Sequence, residues 1–380
     1  MELLQSGRCI KIAAPMVRFS KLPWRHVVRS YGTEIVYSPM IMADSFVNSQ
    51  KARDVEFTTN GLDAPLVVQF AAHTDKEFGD AAELLRSGGH TGGIDLNCGC
   101  PQKWALQEGI GAALLKQPET IKSMVQSAKS RSGDLPVSIK IRIAKDLRET
   151  TQIVKMAESM GVNFITVHGR TSAAKPSDPV DFDAIRTVRE HATVPLIANG
   201  DVRSLADVDK ISKLTGAAGA MAARGLLQNP AMFAGYDVTP DECINDYVHC
   251  ALSLGTRFEV LQKSLQVIGS IPLVRVACRW DPRLQSTSFS FAKHLLVHPM
   301  SCWHGSPADC RHHILSCLFV DIRHQCLMLT CILSQWMMGD VLNKADRIEL
   351  VSCVSASGVV DFLSSRGLSM TPSKRLLPLK

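Results

Sequence analysis

The chain has 380 residues, 46% of them hydrophobic, enough for one large domain with a sizeable core and a smaller one beside it. Through Gly255 the 28 Lys and Arg cancel the 28 Asp and Glu, so the formal excess of +6 lies wholly beyond that point. Bulk charge therefore does not mark the first part as a nucleic-acid binder, and any RNA contact there must come from a local patch.

The start of the chain has no basic segment followed by an apolar run, so no export signal is expected. The twelve cysteines should then be reduced thiols in an intracellular compartment, the cytoplasm ahead of the nucleus. The longest apolar stretch, 314–338, is broken by Asp321, Arg323 and His324, so no membrane span is expected. In chain order, short β-branched runs at 9–14, 35–38, 65–70, 94–97, 137–143, 164–168, 194–198 and 219–222 predict eight strands. Helical segments lie between them. Thr74 with Glu77 and Ser204 with Asp207 suit helix starts, and Pro118 suits a first turn. Gly161 and Gly216 suit helix ends. The strands read as apolar nearly throughout, as parallel strands covered on both faces must be. Eight such units predict an α/β fold, a (β/α)8 TIM barrel. A doubly wound sheet is disfavoured, because no Gly-x-Gly-x-x-Gly turn follows the first strand.

In such a barrel the functional groups sit where strands end. Strand one delivers Ala14-Pro15-Met16-Val17, and strand three ends at Gln69. Strand four runs into Asn97-Cys98-Gly99-Cys100-Pro101, and strand five carries Lys140 and Arg142. Strands six, seven and eight end in His168-Gly169-Arg170-Thr171, Asn199-Gly200-Asp201 and Ala223-Arg224-Gly225. The last two suit a phosphate: Gly200 permits close backbone approach and Arg224 offers a bidentate fork. Lys140 in an apolar strand is costly without a partner, which points to an anionic ligand. Gln69 and His168 stay open between core and ligand roles. Arg142, Arg170 and Lys175 stay open between a solvated rim and RNA phosphate contacts. Cys98 and Asp95 read as structural.

Taken together, Ala14-Pro15-Met16, Asp95-Leu96-Asn97-Cys98-Gly99-Cys100-Pro101, Ile139-Lys140-Ile141-Arg142, Val167-His168-Gly169-Arg170-Thr171, Ala198-Asn199-Gly200-Asp201 and Ala223-Arg224-Gly225 resemble the tRNA-dihydrouridine synthases. The wording around Cys100 is most similar to the eukaryotic subtype acting on uridines 20a and 20b of the D-loop. The resemblance spans residues 9 to 255. It implies reduction of a uridine C5=C6 bond in tRNA, with FMN as flavin and NADPH or NADH as reductant. Carried over position by position, Cys100 would protonate C5 while hydride reaches C6. Pro15, Met16, Val17, Gln69, Lys140, His168, Asn199, Gly200, Asp201, Ala223 and Arg224 would hold the flavin. Asn97, Arg142 and Arg170 would face the substrate. The resemblance divides the chain into an FMN-binding barrel at 1–238 and the start of a helical tRNA-binding domain at 239–255.

Residues 256–380 break from that pattern. They hold seven of the twelve cysteines and six of the twelve histidines without sustained periodicity. The region reads as a truncated or replaced helical C-terminal part, more like an alternative coding end than an RNA-binding domain. Its Cys and His residues lack metal-ligand spacing, so no metal is expected. Two further readings stay open: a barrel that binds FMN without productive tRNA binding, and an FMN barrel reducing a free pyrimidine.

Overall fold

The computed structural model describes residues 2–90, 92–256, 258–265, 267–268, 356–365 and 373–376. Strands β1 (Ile10–Ala13), β2 (Ile35–Tyr37), β4 (Leu66–Ala71), β5 (Ile94–Cys98), β6 (Val137–Arg142), β7 (Phe164–His168), β8 (Leu196–Asn199) and β9 (Gly219–Ala222) are all parallel. Each pairs with two neighbours, and β1 joins both β2 and β9, so the sheet closes into an eight-stranded barrel. All eight predicted strands are present. The sequence reading missed β3 (Ile41–Met42), a two-residue addition on the end of β4.

The helical segments between strands are α1 (Leu22–Ser30), α2 (Ala43–Asn48), α3 (Gln50–Glu56), α4 (Asp75–Ser87), α5 (Lys103–Gln107), α6 (Pro118–Ser132), α7 (Leu147–Ser159), α8 (Phe182–His191) and α9 (Leu205–Thr215). The start and stop signals act as expected. Thr74 accepts from the Glu77 N–H at 3.2 Å, and Ser204 with Asp207 forms a full capping box. Pro118 opens α6, and Gly216 closes α9 in the left-handed region at φ +66°.

One reading needs correction. The strands are not uniformly apolar: β5 and β6 alternate. Ser138, Lys140 and Arg142 share one face of β6, and Asp95 and Asn97 share one face of β5. Register sets Asp95 beside Ser138 and Asn97 beside Lys140. These faces point into the barrel, whose lower layers are closed by Ile10, Ile12, Tyr37, Val67 and Phe164. The opposite faces pack against the helices in one large core.

Beyond the barrel run α10 (Arg224–Gln228), α11 (Asp241–Ser253), α12 (Phe258–Leu265) and α13 (Ala356–Ser365). The last two of these are the helices described within 256–380. Leu261 and Leu265, like Val359 and Leu363, are four residues apart and buried in the main core. Ser373 then returns to α11. Its N–H and hydroxyl each donate to the buried Asp246 carboxylate at 2.6 Å, where the Tyr31 hydroxyl also donates at 2.9 Å. The Arg375 guanidinium sits 5.7 Å from the Tyr31 ring and 5.6 Å from the Tyr236 ring. The tail cysteines and histidines considered as metal ligands, Cys302 to Cys331, lie outside the described residues.

Candidate active site

The strand ends converge at the C-terminal mouth, where barrels carry their chemistry. On one side stands a chain of amides. Gln69 Nε2 donates to Asp95 Oδ2 at 2.8 Å, and Asn97 Nδ2 donates to Gln69 Oε1 at 2.8 Å. Asn97 Oδ1 accepts the N–H groups of Gly99 and Cys100 at 3.1 and 2.9 Å. Ser138 donates its hydroxyl proton to Asp95 Oδ1 at 2.6 Å. Burial pushes the Asp95 carboxyl up to about 6, against hydrogen bonds from Gln69 and Ser138 that pull it down.

Cys100 is half-buried at the end of this chain. The Ala112 N–H donates to its carbonyl at 2.9 Å, and its side chain packs beside Ala71, Ala105 and Ile110. Gly111 follows at φ +63°, and an added Cβ there would sit 2.8 Å from the Cys100 carbonyl oxygen. Cys98 is fully buried, and burial pushes its thiol well above the usual range. That fits its reading as structural.

The mouth also holds a concentration of cations. Burial, with help from Arg142, lowers Lys140 to about 8, against the pull of Asp95 and Cys100. Lys140 makes no hydrogen bond or ion pair among the described residues. His168 is lowered to about 2, first by burial and then by Lys140, Arg142, Arg170 and Arg224, so it is a neutral imidazole. Arg170 is 4% exposed; it donates to the Asp178 carbonyl at 2.7 Å and to Asp201 Oδ2 at 2.5 Å. Arg224 lies 3.4 Å and Arg203 3.9 Å from Asp201 Oδ1. Three guanidiniums thus share one carboxylate, which leaves a net positive site. Asp201 and Arg18 are the non-glycine residues with positive φ among those described, at +48° and +74°. They lie in the loops after β8 and β1, and such strain gathers at ligand clamps.

Several of the other sequence-predicted residues make hydrogen bonds within the chain. Met16 has both backbone groups engaged: its N–H donates to Ser20 Oγ at 2.9 Å, and its carbonyl accepts the Ser20 hydroxyl at 3.0 Å. Pro15 is half-buried and Val17 exposed beside it. Arg142 braces the thiol loop, donating to the Gly99 carbonyl at 2.8 Å and to the Thr171 carbonyl at 3.1 Å. Asn199 is buried and donates to the Met221 carbonyl at 2.8 Å. Gly200, Ala223 and Arg224 line a cavity of about 70 Å³ with His168, Arg170 and Arg203.

Four contributors were missed. Ser38 accepts the Gln69 N–H at 3.0 Å, and Ser138 holds Asp95. The alternation along β6 could have exposed Ser138. Arg203 joins the phosphate-side cluster. Trp104, four residues past Cys100, is exposed beside the mouth loop. A larger cavity of about 580 Å³, lined by Phe46, Arg53, Phe57, Asp63, Leu85 and His90 among others, lies away from these strand ends.

The sequence matches the family model described as "Dihydrouridine synthase (Dus)" over residues 12–269. The match runs fourteen residues past Gly255, where the sequence reading had ended it. A human protein described as tRNA-dihydrouridine(20a/20b) synthase (NAD(P)+)-like is 48% identical over 294 residues, covering 76% of this chain and 90% of that one. A Schizosaccharomyces pombe tRNA-dihydrouridine(20a/20b) synthase (NAD(P)+) is 46% identical over 265 residues, 70% of this chain and 80% of that one. A Saccharomyces cerevisiae tRNA-dihydrouridine(16/17) synthase is 32% identical over 234 residues, 60% and 55% of the two chains.

Proposed function

Because the chain belongs to the dihydrouridine synthase family, we propose that it reduces the C5=C6 bond of a uridine at position 20a or 20b of tRNA, with Cys100 as acid. The observation that carries this reading is the mouth itself, where a half-buried thiol, clamped through its own backbone, stands near an ammonium group without an ion-pair partner among the described residues.

The residues fit FMN. A small cavity ringed by Arg170, Arg203 and Arg224 suits its phosphate, and Gly200, at φ +137°, leaves the cavity wall without a Cβ. Gln69, Lys140 and His168 would face the ring. When bound, FMN supplies the hydride that reaches C6 of the base, with NADPH or NADH as electron source.

The protein's own groups do the rest. Negative charge left on C5 and O4 requires a positioned acid. The Cys100 S–H bond breaks, a C5–H bond forms, and the electron pair stays on sulfur as thiolate. Lys140, protonated at neutral pH, stabilises that thiolate. Cys100 regains its proton from solvent, to which it is partly open. Neutral His168 holds its ligand by hydrogen bonding without adding charge. A base in folded tRNA must leave its stack to reach this site, and exposed Trp104 and Lys175 at the rim supply stacking and phosphate contacts.

The test is incubation of unmodified tRNA with the purified full chain, FMN and NADPH. Dihydrouridine should form with the wild type and not with Cys100→Ala, which should keep its flavin. A yellow protein that yields no dihydrouridine overturns the proposed turnover. A protein that takes up no FMN overturns the site assignment.

A further inference from the structure

We infer that Asp95 is a positioning residue for the acid, acting through Gln69 and Asn97 to fix the backbone that carries Cys100. This rests on the reading of Cys100 as proton donor. The sequence alone left Asp95 as a structural carboxylate, and its place in the hydrogen-bond order argues for more.

A carboxylate can only accept, whereas each carboxamide has a donor end and an acceptor end. Asp95 is fully buried, with one oxygen on Gln69 and the other on Ser138. It therefore forces the Nε2 end of Gln69 towards itself. That leaves Oε1 for Asn97, which must answer with Nδ2. Oδ1 of Asn97 is then the end that meets the Gly99 and Cys100 N–H groups. Turn Gln69 over and its Oε1 would face the Asp95 carboxylate, acceptor against acceptor; turn Asn97 over and its NH2 would face the Cys100 N–H, donor against donor. One acceptor-only group at the base of the relay thus sets the direction of every bond up to the thiol's own residue. Burial brings Asp95 to about 6, so it is charged at neutral pH and keeps that acceptor-only character.

Two substitutions separate this role from simple filling of space. In Asp95→Asn the side-chain oxygen can still face Gln69 while Nδ2 donates to the Ser138 hydroxyl, which turns to accept. The relay keeps its direction. In Asp95→Leu it has no anchor. With the full chain stripped of flavin, Cys100 alkylation by iodoacetamide is followed by mass spectrometry, with melting temperature as the control for folding. Asp95→Leu should be alkylated about threefold faster and, reloaded with FMN, should lose about a hundredfold in turnover with a nearly unchanged KM for tRNA. Asp95→Asn should stay within about threefold of wild type in both measurements.

Matching behaviour of the two variants in alkylation overturns the proposal. Should Asp95→Leu fail to fold, Asp95→Asn combined with Ser138→Ala takes its place. Without the Ser138 acceptor the new amide can sit either way, and the pair should behave as Asp95→Leu was expected to. If it matches Asp95→Asn alone, the proposal fails. A wild type that forms no dihydrouridine sinks the functional reading, yet the alkylation contrast still decides the role of Asp95.

Discussion

Asp63→Ala should be among the most damaging single substitutions away from the mouth. Arg25 and Asp63 are 1% and 2% exposed. Arg25 Nε donates to the two carboxylate oxygens at 3.2 and 3.0 Å, and Nη2 donates to Oδ2 at 2.5 Å. Arg29 lies 3.7 Å away on the same carboxylate. Losing the carboxylate leaves the Arg25 cation buried, with only the Ser20 and Thr58 carbonyls as acceptors. Breaking such a pair from one side costs about 3–5 kcal/mol. For a domain of this size the melting midpoint should fall by roughly 6–20 °C. Function should follow, because Ser20, held by Arg25, is also the residue that clamps Met16 in the loop after β1. The informative control is Arg25→Met with Asp63→Leu, which removes both charges and should recover stability to within about 2 kcal/mol of wild type. Calorimetry and denaturant titration measure both. A fall under about 2 °C for Asp63→Ala, or a double variant no better than the single one, refutes the reasoning.

Three further outcomes are expected. Gly111→Ala should leave flavin content intact but cut turnover at least about tenfold, because its Cβ would push on the Cys100 carbonyl from a left-handed backbone position; quantifying dihydrouridine against bound flavin checks this. Gly200→Ala, whose Cβ would meet Val180 Cγ2 at 2.7 Å from φ +137°, should purify with far less FMN than wild type, read from the flavin absorbance. Lys140→Met should stabilise the flavin-free protein at neutral pH. The Lys140 pKa falls from 10.5 to about 8 on folding, so the fold carries the full cost of the charge, at most about 3 kcal/mol, below pH 8. That cost is relieved as pH climbs from 8 to 10.5, so the advantage of Lys140→Met should shrink over that range in a pH series of melting curves. An advantage that grows instead would reverse the assignment.

The barrel was legible because its signal is periodic and local. Eight apolar runs at regular spacing, separated by residues such as Pro118 and Gly216 that start or stop helices, define it without long-range knowledge. The polar strand ends were legible for the same reason, since a residue such as Lys140 in an apolar run needs a partner. What escaped was short or distant. Strand β3 has two residues, too few for any period to register. The bracing bonds of Arg142 escaped because nothing in its neighbours reveals that the Gly99 and Thr171 carbonyls lie within its reach. Arg25 and Asp63 are 38 residues apart, and nothing local to either one points to the other. The amide relay joins three strands through register, and register is a tertiary fact. Past Gly255, helices α12 and α13 bury paired apolar residues against a core supplied by other segments, so their own composition reads as noise.

The return of the chain to α11 bears on how the molecule can be cut. A fragment ending after Ser253 looks like a finished barrel on paper. It would lack Val359 and Leu363, each burial being worth about 1.5–3 kcal/mol, and it would leave Asp246 with the Tyr31 hydroxyl as its remaining donor among those described here. The exposed seam would run beside Tyr31 and Tyr236, two aromatic rings stripped of the guanidinium that covers them. Such a fragment invites self-association through a greasy scar, so expression trials should retain the last segment and place purification handles at the other end of the chain.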